Sequence, residues 1–492
     1  MAVVGLDIGT SNCCCYVSLH KDGSPELVPT AMGGHLTPSY VAYTDKNILV
    51  GETAKQQQSS NPLNTFFEFK RVLGRSYEQR DLWKDAKHWP FKLVRSDKDR
   101  DQPSYPAVYC GDILQLSALD LYTLLITSML STVKAMTPAI EGIVVTVPAH
   151  FDHVQRKQTL QAVERSGATC PIQVLNEPSA AAIAYAEQRD DITSGDCLVV
   201  FDLGAGTLDV TCVEVQADGT FEILGSEGCC NLGGSDFDQR LLKMASAHYK
   251  QHTDRSLSTN KYRLVCVRDA CEQAKKTLSV ATETQIHVAD DIPPMEVTRG
   301  DFEAAVAPDI RRCNEIVWTL LHRLHKEPKD ISHVIMCGGS SRVPAVRSAV
   351  QEMFEGKLLL TNINADECVA LGACVYARNM CPLVKDVLTN SIGIKTGHNI
   401  MLTLAPKDTA LPVEATQSLL PLHKKQSYAD ICVYQGESQR TDENRYLGFV
   451  RLEGLRPGHP CVKLIIKVDA NAMVHLDACD DEGHRVIGKI EI

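Results

Sequence analysis

The amino-acid sequence predicts an α/β fold of two duplicated lobes, followed by an all-β region at the C-terminus. Residues 3–9 (VVGLDIG) and 198–204 (LVVFDLG) each place an apolar strand before an Asp, one apolar residue and a Gly, although they lie far apart in the chain. Such a repeat suggests a duplicated fold with one copy in each lobe. Residues 389–492 alternate apolar and polar side chains over short runs, which is typical of strands in a β-sandwich.

The turn of the second copy has the composition of a phosphate-binding loop. Gly204 and Gly206 allow the backbone to approach a ligand closely, and Thr207 adds a hydroxyl donor. Asp202 and Asp209 flank the turn, and because acids do not bind phosphate directly, they fit a hydrated Mg²⁺. Taken alone, the segment is equally consistent with an ordinary hairpin. The first copy also continues with hydroxyl residues, and the two half-sites together favour a nucleotide held between the lobes.

The remaining elements follow from periodicity. Apolar residues at helical spacing predict amphipathic helices, and continuous apolar runs predict buried strands. The predicted helices lie at 61–75, 120–135 and 263–284, and the predicted strands at 142–147, 173–176 and 334–336. Pro178 in a first helical turn, followed by four alanines, predicts a helix that packs through small side chains. The two glycines at 233–234 precede another helix, where backbone amides can face phosphate.

Composition and charge exclude some classes of protein. The chain has 492 residues, enough for two or more domains, and its 44% hydrophobic and 23% charged content is ordinary. A net charge of -11 argues against a nucleic-acid surface, since phosphate backbones attract excess Lys and Arg. The 19 cysteines contain no CxxC pair, which predicts reduced structural thiols. We find no signal, transit or membrane segment, so a cytoplasmic location without membrane partners is expected.

Five motifs in register resemble the heat-shock protein 70 (DnaK-type) chaperone family. They are DIGTS at 7–11, NEPSAAAIAY at 176–185, FDLGAGTLDV at 201–210, GGSDFD at 233–238 and CGGSSRVP at 337–344. The resemblance runs in order from about residue 3 to the C-terminus. It implies an actin-like ATPase domain of two ribonuclease H-like lobes at 1–380, a linker at 381–388 and a peptide-binding β-sandwich at 389–492.

The resemblance implies four catalytic residues, Lys70, Glu177, Asp202 and Asp209. Lys70 matches the lysine that reaches the γ-phosphate and the attacking water, although alone it could belong to a solvated charge pair on an amphipathic helix. Asp7 and Asp202 are expected to orient the hydrated metal, while Asp209 and Glu177 help to position the water. The implied chemistry is attack of water on the γ-phosphate, without a Walker lysine loop.

The implied ligands are ATP or ADP with Mg²⁺, and the resemblance also admits K⁺. Several turns and one helix are expected to cradle the phosphates or to hold the adenosine. These residues are Thr10, Ser11, Asn12, Gly204, Ala205, Gly206, Thr207, Gly233, Gly234, Glu272, Lys275, Ser279, Gly338, Gly339, Ser340, Arg342 and Asp366. By spacing alone, Glu272 and Lys275 would belong to a solvated charged helix face. Arg342 can stack on an adenine.

Three features depart from the family pattern. Ala205 stands where a third glycine is common, and at positive φ it would cost about 1 kcal/mol. Asn12 stands where a tyrosine or a similar residue is usual, so the protein would fit less tightly around the phosphates at the entrance of the site. The family linker has an acid followed by a run of leucines, whereas Pro382 and Lys385 interrupt the apolar run here, which puts coupling between the domains in doubt. Arg156 matches an arginine that relays nucleotide state, but it fits a surface helix equally well.

The C-terminal region resembles the peptide-binding β-domain. Ile394, Leu419 and Ala429 match its groove, or they are plain sandwich core. The sequence stops at Ile492 without a helical lid, so a bound peptide would be expected to leave quickly. This organisation is similar to the branch of the family that works with a J-domain protein at the ribosome.

Two hypotheses therefore stand. One is an ATP-dependent chaperone, with slow hydrolysis, that binds exposed hydrophobic segments of unfolded or nascent polypeptides. Its implied partners are a J-domain co-chaperone and a nucleotide-exchange factor. The alternative is a weakly or non-hydrolysing, nucleotide-bound scaffold subunit of a ribosome-associated J-domain protein complex. The retained catalytic residues favour the first hypothesis, and the linker and the absent lid favour the second. A sugar kinase of the same superfamily is a distant third.

Overall fold

The computed structural model describes residues 2–20, 23–137, 139–189, 191–357, 359–379, 384–420, 428–453, 462–480 and 487–491. We call residues 2–189 the first lobe, 191–379 the second lobe and 389–491 the C-terminal unit, with residues 384–388 joining the last two. The predicted mixed α/β character is confirmed. Within the described ranges, none of the helices combines the length and apolarity needed to cross a bilayer.

The first lobe contains a central sheet with helices packed on its faces. The strands of the first lobe as a whole are β1 (Ala2–Ile8), β2 (Asn12–Ser18), β3 (Glu26–Leu27), β4 (Thr37–Pro38), β5 (Tyr40–Tyr43), β6 (Ile48–Val50), β7 (Thr65–Phe67), β8 (Val94–Arg95), β9 (Pro103–Tyr109), β10 (Asp112–Leu116), β11 (Ile140–Val147) and β12 (Ile172–Asn176). Its helices are α1 (Glu52–Lys55), α2 (Arg80–Ala86), α3 (Ala118–Met136), α4 (His153–Arg165) and α5 (Glu177–Gln188).

The second lobe repeats this arrangement. Its strands are β13 (Cys197–Leu203), β14 (Leu208–Val215), β15 (Phe221–Cys229), β16 (Glu283–Ile286), β17 (Met295–Thr298), β18 (His333–Cys337) and β19 (Leu359–Leu360), and β20 (Val384–Lys385) follows in the joining segment. Its helices are α6 (Gly234–Thr253), α7 (Lys261–Leu278), α8 (Arg299–Arg323), α9 (Pro344–Met353) and α10 (Cys368–Asn379).

The main sheets of the two lobes share one topology. In the first lobe the order is β12-β11-β1-β2-β3, and β1 runs parallel to β11 but antiparallel to β2. In the second lobe the order is β19-β18-β13-β14-β15, and β13 runs parallel to β18 but antiparallel to β14. The two Asp-apolar-Gly turns therefore close corresponding hairpins, as a duplicated fold requires.

Helices α5 and α10 join the two lobes through small side chains. Ala180, Ala181 and Ala182 of α5 are fully buried. A Cβ on Gly372 of α10 would lie 1.7 Å from the carbonyl oxygen of Ala180, so the helices approach too closely for a side chain there. This contact confirms the predicted packing of the alanine-rich helix, and it holds the lobes together beneath the cleft between them.

The predicted helix at 61–75 is wrong. The segment instead forms β7, then Glu68 with a φ of 54°, then one 3₁₀ turn at Phe69–Arg71. Phe66 and Phe67 pair with β5, which supplies backbone partners that the isolated sequence does not show. The apolar residues fit a helical stripe and a buried strand equally well, and the neighbouring strand decides between them.

The predicted helix at 263–284 is too long at its C-terminal end. Helix α7 ends at Leu278, and residues 283–284 already belong to β16, which pairs with β17. Ser279 is the C-cap residue, with φ of -73° and ψ of -21°. Residues 277–282 contain neither glycine nor proline, so no helix breaker in the sequence marks the end of the helix.

The C-terminal unit consists of two antiparallel sheets around one core. Its strands are β21 (Ile392–Lys395), β22 (Met401–Ala405), β23 (Val413–Leu419), β24 (Tyr428–Gln435), β25 (Arg445–Glu453), β26 (Val462–Val468), β27 (Val474–Asp480) and β28 (Ile487–Glu491). The sheet orders are β22-β21-β24-β25-β28 and β23-β26-β27. Ile394 is 1% exposed and belongs to the core, whereas Leu419 and Ala429 pack against it and stay partly exposed. The core role therefore fits Ile394 better than a groove role.

The joining segment docks on the second lobe. Strand β20 runs parallel to β15 at the edge of the second-lobe sheet, so Lys385 does not prevent strand pairing. Val387 packs into the core that the two lobes share, and Leu388 packs into the core of the C-terminal unit. Residues 381–383, the first part of the predicted linker, lie outside the described residues.

A buried polar chain connects the joining segment to the first lobe. Asp386 accepts hydrogen bonds from Asn176 Nδ2 at 2.7 Å and from Ser179 Oγ at 3.2 Å. Arg156, which is 4% exposed, donates to Asn176 Oδ1 at 2.7 Å and to the carbonyl oxygen of Ala149 at 3.0 Å. Arg156 is therefore not a surface residue. It touches the helix start that also holds the joining segment.

The C-terminal unit lies against helix α4 of the first lobe. His153 Nδ1 accepts a hydrogen bond from the backbone N–H of Val474 at 3.0 Å. The backbone N–H of His153 donates to Gln435 Oε1 at 3.1 Å, and Arg445 Nε lies 3.1 Å from Asp152 Oδ2. Burial lowers the pKa of His153 to about 4, so its ring is neutral and able to accept. The unit is thus docked on the first lobe through buried polar contacts.

Candidate functional site

A cavity of about 540 Å³ opens between the two lobes, within the size range of small-ligand sites. Nearly all the residues expected to bind a nucleotide line it. From the first lobe and α5 these are Asp7, Thr10, Ser11, Asn12, Lys70 and Glu177. From the second lobe these are Asp202, Gly204, Ala205, Thr207, Glu272, Lys275, Ser279, Gly338, Gly339, Ser340, Arg342 and Asp366. Four of the expected residues do not line the cavity and lie behind its surface, namely Asp209, Gly206, Gly233 and Gly234.

The floor of the cavity is a buried ion pair. Lys70 Nζ donates to Glu177 Oε1 at 2.8 Å, and the two side chains are 5% and 9% exposed. Burial by itself lowers the pKa of Lys70, but Glu177, Tyr122 and Asp7 outweigh it and hold the pKa above its ordinary value. Burial raises the pKa of Glu177 to about 7, although Lys70 opposes the rise. Lys70 is therefore a fixed ammonium group, and the interpretation of a solvated charge pair is wrong.

Two further carboxylates face the same floor. Burial raises the pKa of Asp202 well above its ordinary value, and Glu177, Asp209 and Asp7 add to the rise. Burial also raises the pKa of Asp7, whose Oδ1 accepts from Thr146 Oγ1 at 3.3 Å.

This excess of buried negative charge fits a divalent cation. Asp7, Glu177 and Asp202 surround a single ammonium group, so a bound cation would relieve their mutual repulsion. Among the residues that the structure describes, no three His, Cys, Asp or Glu side chains stand close enough to ligate one ion directly. The residues present therefore fit a metal held through its water molecules.

Asp209 occupies a different position from the other acids. It is 1% exposed, pairs with Asp202 across β13 and β14, and its Oδ1 lies 3.0 Å from His150 Nδ1. His150 lies three residues after the end of β11, and its Nε2 is buried without a hydrogen-bond partner in the described part of the chain. Sequence reasoning missed His150, because nothing local in the chain connects it with residue 209.

Backbone hydrogen bonds join the phosphate turn of the second lobe to the start of α6. The backbone N–H groups of Gly234 and Ser235 donate to the carbonyl oxygens of Gly204 and Ala205 at 3.0 and 2.8 Å. The expectation that the Gly234 amide faces phosphate is therefore wrong, because a carbonyl already occupies it. Glycine is needed for space at the preceding position, because a Cβ on Gly233 would lie 2.6 Å from the carbonyl group of Ala205.

Ala205 carries no strained backbone. It is absent from the described non-glycine residues with positive φ, so the cost expected for that conformation does not arise. A Cβ on Gly206 would instead lie 2.8 Å from Thr10 Oγ1, which shows where the phosphate turns of the two lobes meet. The position that requires glycine for its conformation is Gly338, which has a φ of 73° and where a Cβ would lie 2.3 Å from the Leu203 carbonyl oxygen.

Helix α7 supplies one charged wall of the cavity. Lys275 Nζ donates to Asp238 Oδ2 at 2.8 Å and to the carbonyl oxygen of Gly234 at 3.0 Å. Glu272 pairs with Lys276 at 2.6 Å and with Lys55 of the first lobe at 3.5 Å, and its pKa is lowered to about 2 because these lysines outweigh burial. The helix face is therefore not simply solvated, since it closes the cavity and bridges both lobes.

The opposite wall is built from the turn after β18. The backbone N–H of Gly338 donates to the carbonyl oxygen of Ala365 at 3.0 Å, and Ser340 Oγ donates to the carbonyl oxygen of Gly204 at 2.8 Å. Arg342 is paired with Asp366 and Asn364 in this structure. Its guanidinium plane is thereby held at the rim, where it could stack on an adenine.

Two arginines that sequence reasoning did not assign brace the cavity, one of them buried and the other partly exposed. Arg71 is 4% exposed and donates to Asp85 Oδ1 and to Asp236 Oδ2, each at 3.0 Å, which ties the 3₁₀ turn after β7 to helices α2 and α6. Arg268 of α7 lies 4.1 Å from the Phe67 ring and is paired with Glu68. Both arginines bridge the lobes. Their partners are distant in sequence, so no local signal could have revealed them.

Fold and site together define a class of protein. Two lobes of equal topology hold a cavity lined by paired Asp-apolar-Gly turns, a buried lysine and several acids, and this is the arrangement of a nucleotide-clamping ATPase. The attached two-sheet unit is docked on the first lobe and is joined to the second by a paired strand.

Comparisons with known proteins identify the family. The Hsp70 protein family model matches residues 3–492. Heat shock cognate 70 kDa protein 3 of Dictyostelium discoideum is 33% identical over 100% of this chain and 80% of its own length. The heat shock 70 kDa protein of Emericella nidulans is 33% identical over 97% of this chain and 76% of its own. A ribosome-associated molecular chaperone of Eremothecium gossypii is 32% identical over 97% and 79%. The chain belongs to the Hsp70 family and is an ATP-dependent chaperone of the Hsp70 type.

Proposed function

We propose that the chain binds Mg·ATP between its lobes, hydrolyses it slowly, and uses the nucleotide state to control peptide binding by the C-terminal unit. The observation that carries this proposal is the buried Lys70–Glu177 pair at the floor of a cavity between duplicated lobes. In this proposal residues 1–380 form the nucleotide-binding domain, 381–388 the linker and 389–492 a peptide-binding β-sandwich.

The protein's own side chains would perform the hydrolysis by position and charge. The Lys70 ammonium offsets negative charge that develops on the transferred γ-phosphoryl group. Glu177, held by Lys70 at the start of α5, orients the attacking water in line with the leaving oxygen. Asp209 does not line the cavity, so it acts on Lys70 and Glu177 indirectly, through its neighbours Asp202 and His150.

The phosphates and the metal would be shared between the lobes. Thr10, Ser11 and Asn12 would meet the phosphates from the first lobe, and Gly204, Ala205 and Thr207 from the second. Mg²⁺, when bound, neutralises part of the phosphate charge. Asp7 and Asp202 would hold the water molecules around it, which fits their buried, mutually repelling carboxylates. K⁺ would be a second occupant of the same acidic floor.

The adenosine would lie between helix α7 and the turn after β18. Glu272, Lys275 and Ser279 would hold one side of the nucleoside, and Gly339 with Arg342 the other.

The joining segment supports coupling between nucleotide and peptide. Asp386 is held by Asn176 and Ser179, which flank the catalytic Glu177 in the chain. A change at the floor of the cavity would therefore reach the linker through a single helical turn. The C-terminal unit would then exchange a docked and a released position, with exposed hydrophobic segments of unfolded polypeptides bound between its loops.

The names of two relatives support a role at the ribosome. The similar chaperones of Eremothecium gossypii and Zygosaccharomyces rouxii are named as ribosome-associated, which supports action on nascent chains at the ribosome and a cytoplasmic location. A J-domain co-chaperone and a nucleotide-exchange factor would drive the cycle. The non-hydrolysing scaffold is the less favoured alternative, because the buried ion pair of the floor is retained.

A peptide-release experiment tests this function. A fluorescent hydrophobic heptapeptide is bound to the full chain with ADP, and dissociation is started by dilution into ATP or into ADP. The proposal predicts dissociation at least about tenfold faster in ATP, since most affinity changes occur in the off-rate. Equal rates in both nucleotides would contradict it and would favour the scaffold.

A further inference from the structure

Two cysteines of the second lobe stand in contact beside a lysine, away from the nucleotide cavity. Cys197 Sγ and Cys212 Sγ are 3.4 Å apart on the neighbouring strands β13 and β14. The register pairs Cys197 with Glu214 and Val199 with Cys212, so the two thiols are diagonal neighbours on one face of the sheet. The positive charge of Lys326 lies near enough to Cys197 to lower the pKa of its thiol.

We propose that Cys197 and Cys212 form a redox modification site, at which a hydroperoxide oxidises Cys197 and Cys212 then closes an intramolecular disulfide. The oxidant is hydrogen peroxide or a small organic hydroperoxide. Neither the ATPase function nor the peptide-binding function uses these thiols.

The two cysteines have different electrostatic surroundings, which assigns their roles. The hydrogen bond from Cys212 lowers the pKa of Cys197, and Lys326 lowers it further against the effect of burial. The hydrogen bond to Cys197 and burial raise the pKa of Cys212. Since the thiolate is the nucleophile, Cys197 reacts with the oxidant and Cys212 resolves the product.

Exposure agrees with this order. Cys197 is 5% exposed and begins its strand at the outer end of the sheet, whereas Cys212 is 0% exposed. Only a small oxidant can reach Cys197, and nothing from solvent reaches Cys212 directly. Forming the bond requires the sulfurs to close from 3.4 Å to about 2.05 Å, a movement that side-chain rotation and a small strand shift supply.

The reaction balances in two steps. The Cys197 thiolate attacks one peroxide oxygen, which forms an S–O bond, breaks the O–O bond and releases hydroxide. The Cys212 thiol then attacks the sulfur of the sulfenic acid, and the S–S bond forms as water leaves with the thiol proton. The thiol pair loses two electrons, and the peroxide is reduced to hydroxide and water.

A second thiol pair in the same lobe provides an internal control. Cys337 and Cys368 also lie 3.4 Å apart, at the end of β18 and the start of α10. Both are fully buried. The hydrogen bond from Cys368 and burial raise the pKa of Cys337. With equal sulfur separation but a raised thiol pKa at Cys337, this pair should stay reduced.

The test is peptide mapping of the reduced full-length chain after brief exposure to hydrogen peroxide and blocking of free thiols. The Cys197–Cys212 disulfide should form at least about tenfold faster than any Cys337–Cys368 disulfide, because the pKa of Cys197 is lowered by its surroundings whereas that of Cys337 is raised. In Cys212→Ser, dimedone should label Cys197 as the trapped sulfenic acid. Melting curves of each reduced variant confirm that it is folded.

The lysine is tested with a matched control. Lys326→Gln should slow oxidation of Cys197 about fivefold or more, since the thiolate loses its cation. Lys329→Gln, an exposed lysine three residues away, should leave the rate unchanged. The proposal is overturned if Cys197 remains a free thiol while other cysteines oxidise, if the disulfide forms between chains, or if Lys326→Gln reacts as fast as the wild type.

Discussion

At the scale of single residues, the pairing of Lys70 with Glu177 has the largest consequence. Both groups lie at 9% exposure or less, and each is the other's neutralising partner. Removing one member of such a pair leaves a buried charge without compensation, which is strongly destabilising. Substitutions here should therefore be compared in a folded, nucleotide-bound protein, so that loss of chemistry is not mistaken for loss of stability.

Ala205 gives a residue-scale prediction. Because its backbone lies outside the positive-φ region, Ala205→Gly should not raise ATP affinity or hydrolysis by more than about twofold. It should lower the free energy of unfolding by about 0.4–1 kcal/mol, since glycine has more freedom in the unfolded chain. Urea unfolding and ATP titration measure the two effects. A large gain in hydrolysis would instead mean that the alanine does distort the turn.

The sequence predicted about half of the residues that line the cavity, mostly those that belong to a short motif with their neighbours. It could not predict the contacts that complete the site. Lys70 and Glu177 are separated by 107 residues, and His150 and Asp209 by 59. Such contacts depend on how the lobes fold over each other. The role of Lys70 consequently came from family resemblance alone.

At the scale of elements, β20 is the feature that links the two functions. Its two residues extend the second-lobe sheet, and Asp386 follows them into a buried site beside α5. A strand of this length has little stability of its own, so its docking depends on the side-chain contacts at its end.

Asp386→Ala should uncouple the C-terminal unit. The change leaves the Asn176 and Ser179 donors without their acceptor, at a cost of about 1–3 kcal/mol to the docked state. Basal hydrolysis should change little, while acceleration of peptide release by ATP should fall about tenfold or more. Asp442→Ala, which removes an exposed carboxylate paired with Arg440, is the control and should behave as the wild type. Normal ATP-driven release by Asp386→Ala would refute this role.

Helix and strand boundaries show where periodicity fails. The apolar stripe at 66–73 fits a helix, yet pairing with β5 makes it a strand followed by a 3₁₀ turn. Helix α5 was predicted correctly, because proline, small residues and the preceding strand all indicate the same structure. A helix or strand can be predicted from sequence where several independent local signals agree, and one strong signal alone is not enough.

At the scale of the whole molecule, the docked C-terminal unit could not be predicted from sequence. The contacts between His153 and Val474 and between Arg445 and Asp152 join segments roughly 300 residues apart, and neither belongs to a recognisable motif. The docked position places a neutral, buried histidine at the interface. The charged and titratable groups that act on its ring are Asp469 and His475 of the C-terminal unit and Lys157 and Arg156 of the first lobe.

Docking should weaken in mild acid. The pKa of His153 is about 4 when docked and 6.5 ordinarily, so the released or unfolded state binds the proton more tightly. Stability from this group is therefore full above about pH 6.5 and is lost as pH falls toward 4, by about 2 kcal/mol between pH 7 and 5. Limited proteolysis of the joining segment and urea unfolding at both pH values measure the loss.

His153→Asn keeps an acceptor near the Nδ1 position without a titrating ring. This variant should lose most of the pH dependence between 4 and 6.5. His322→Asn, at an exposed position on α8, should retain it. An unchanged pH profile in His153→Asn would assign the effect to other groups.

The central claim is that this chain hydrolyses ATP with Lys70 at the floor of the cavity, and single-turnover hydrolysis tests it most directly. The wild type, Lys70→Ala and the exposed-loop control Lys46→Ala are each loaded with limiting radiolabelled ATP, and binding is measured in parallel. We expect Lys70→Ala to bind ATP but to hydrolyse it about 10²-fold more slowly, with Lys46→Ala unchanged. Binding without hydrolysis by the wild type, or equal hydrolysis by Lys70→Ala, would contradict the account.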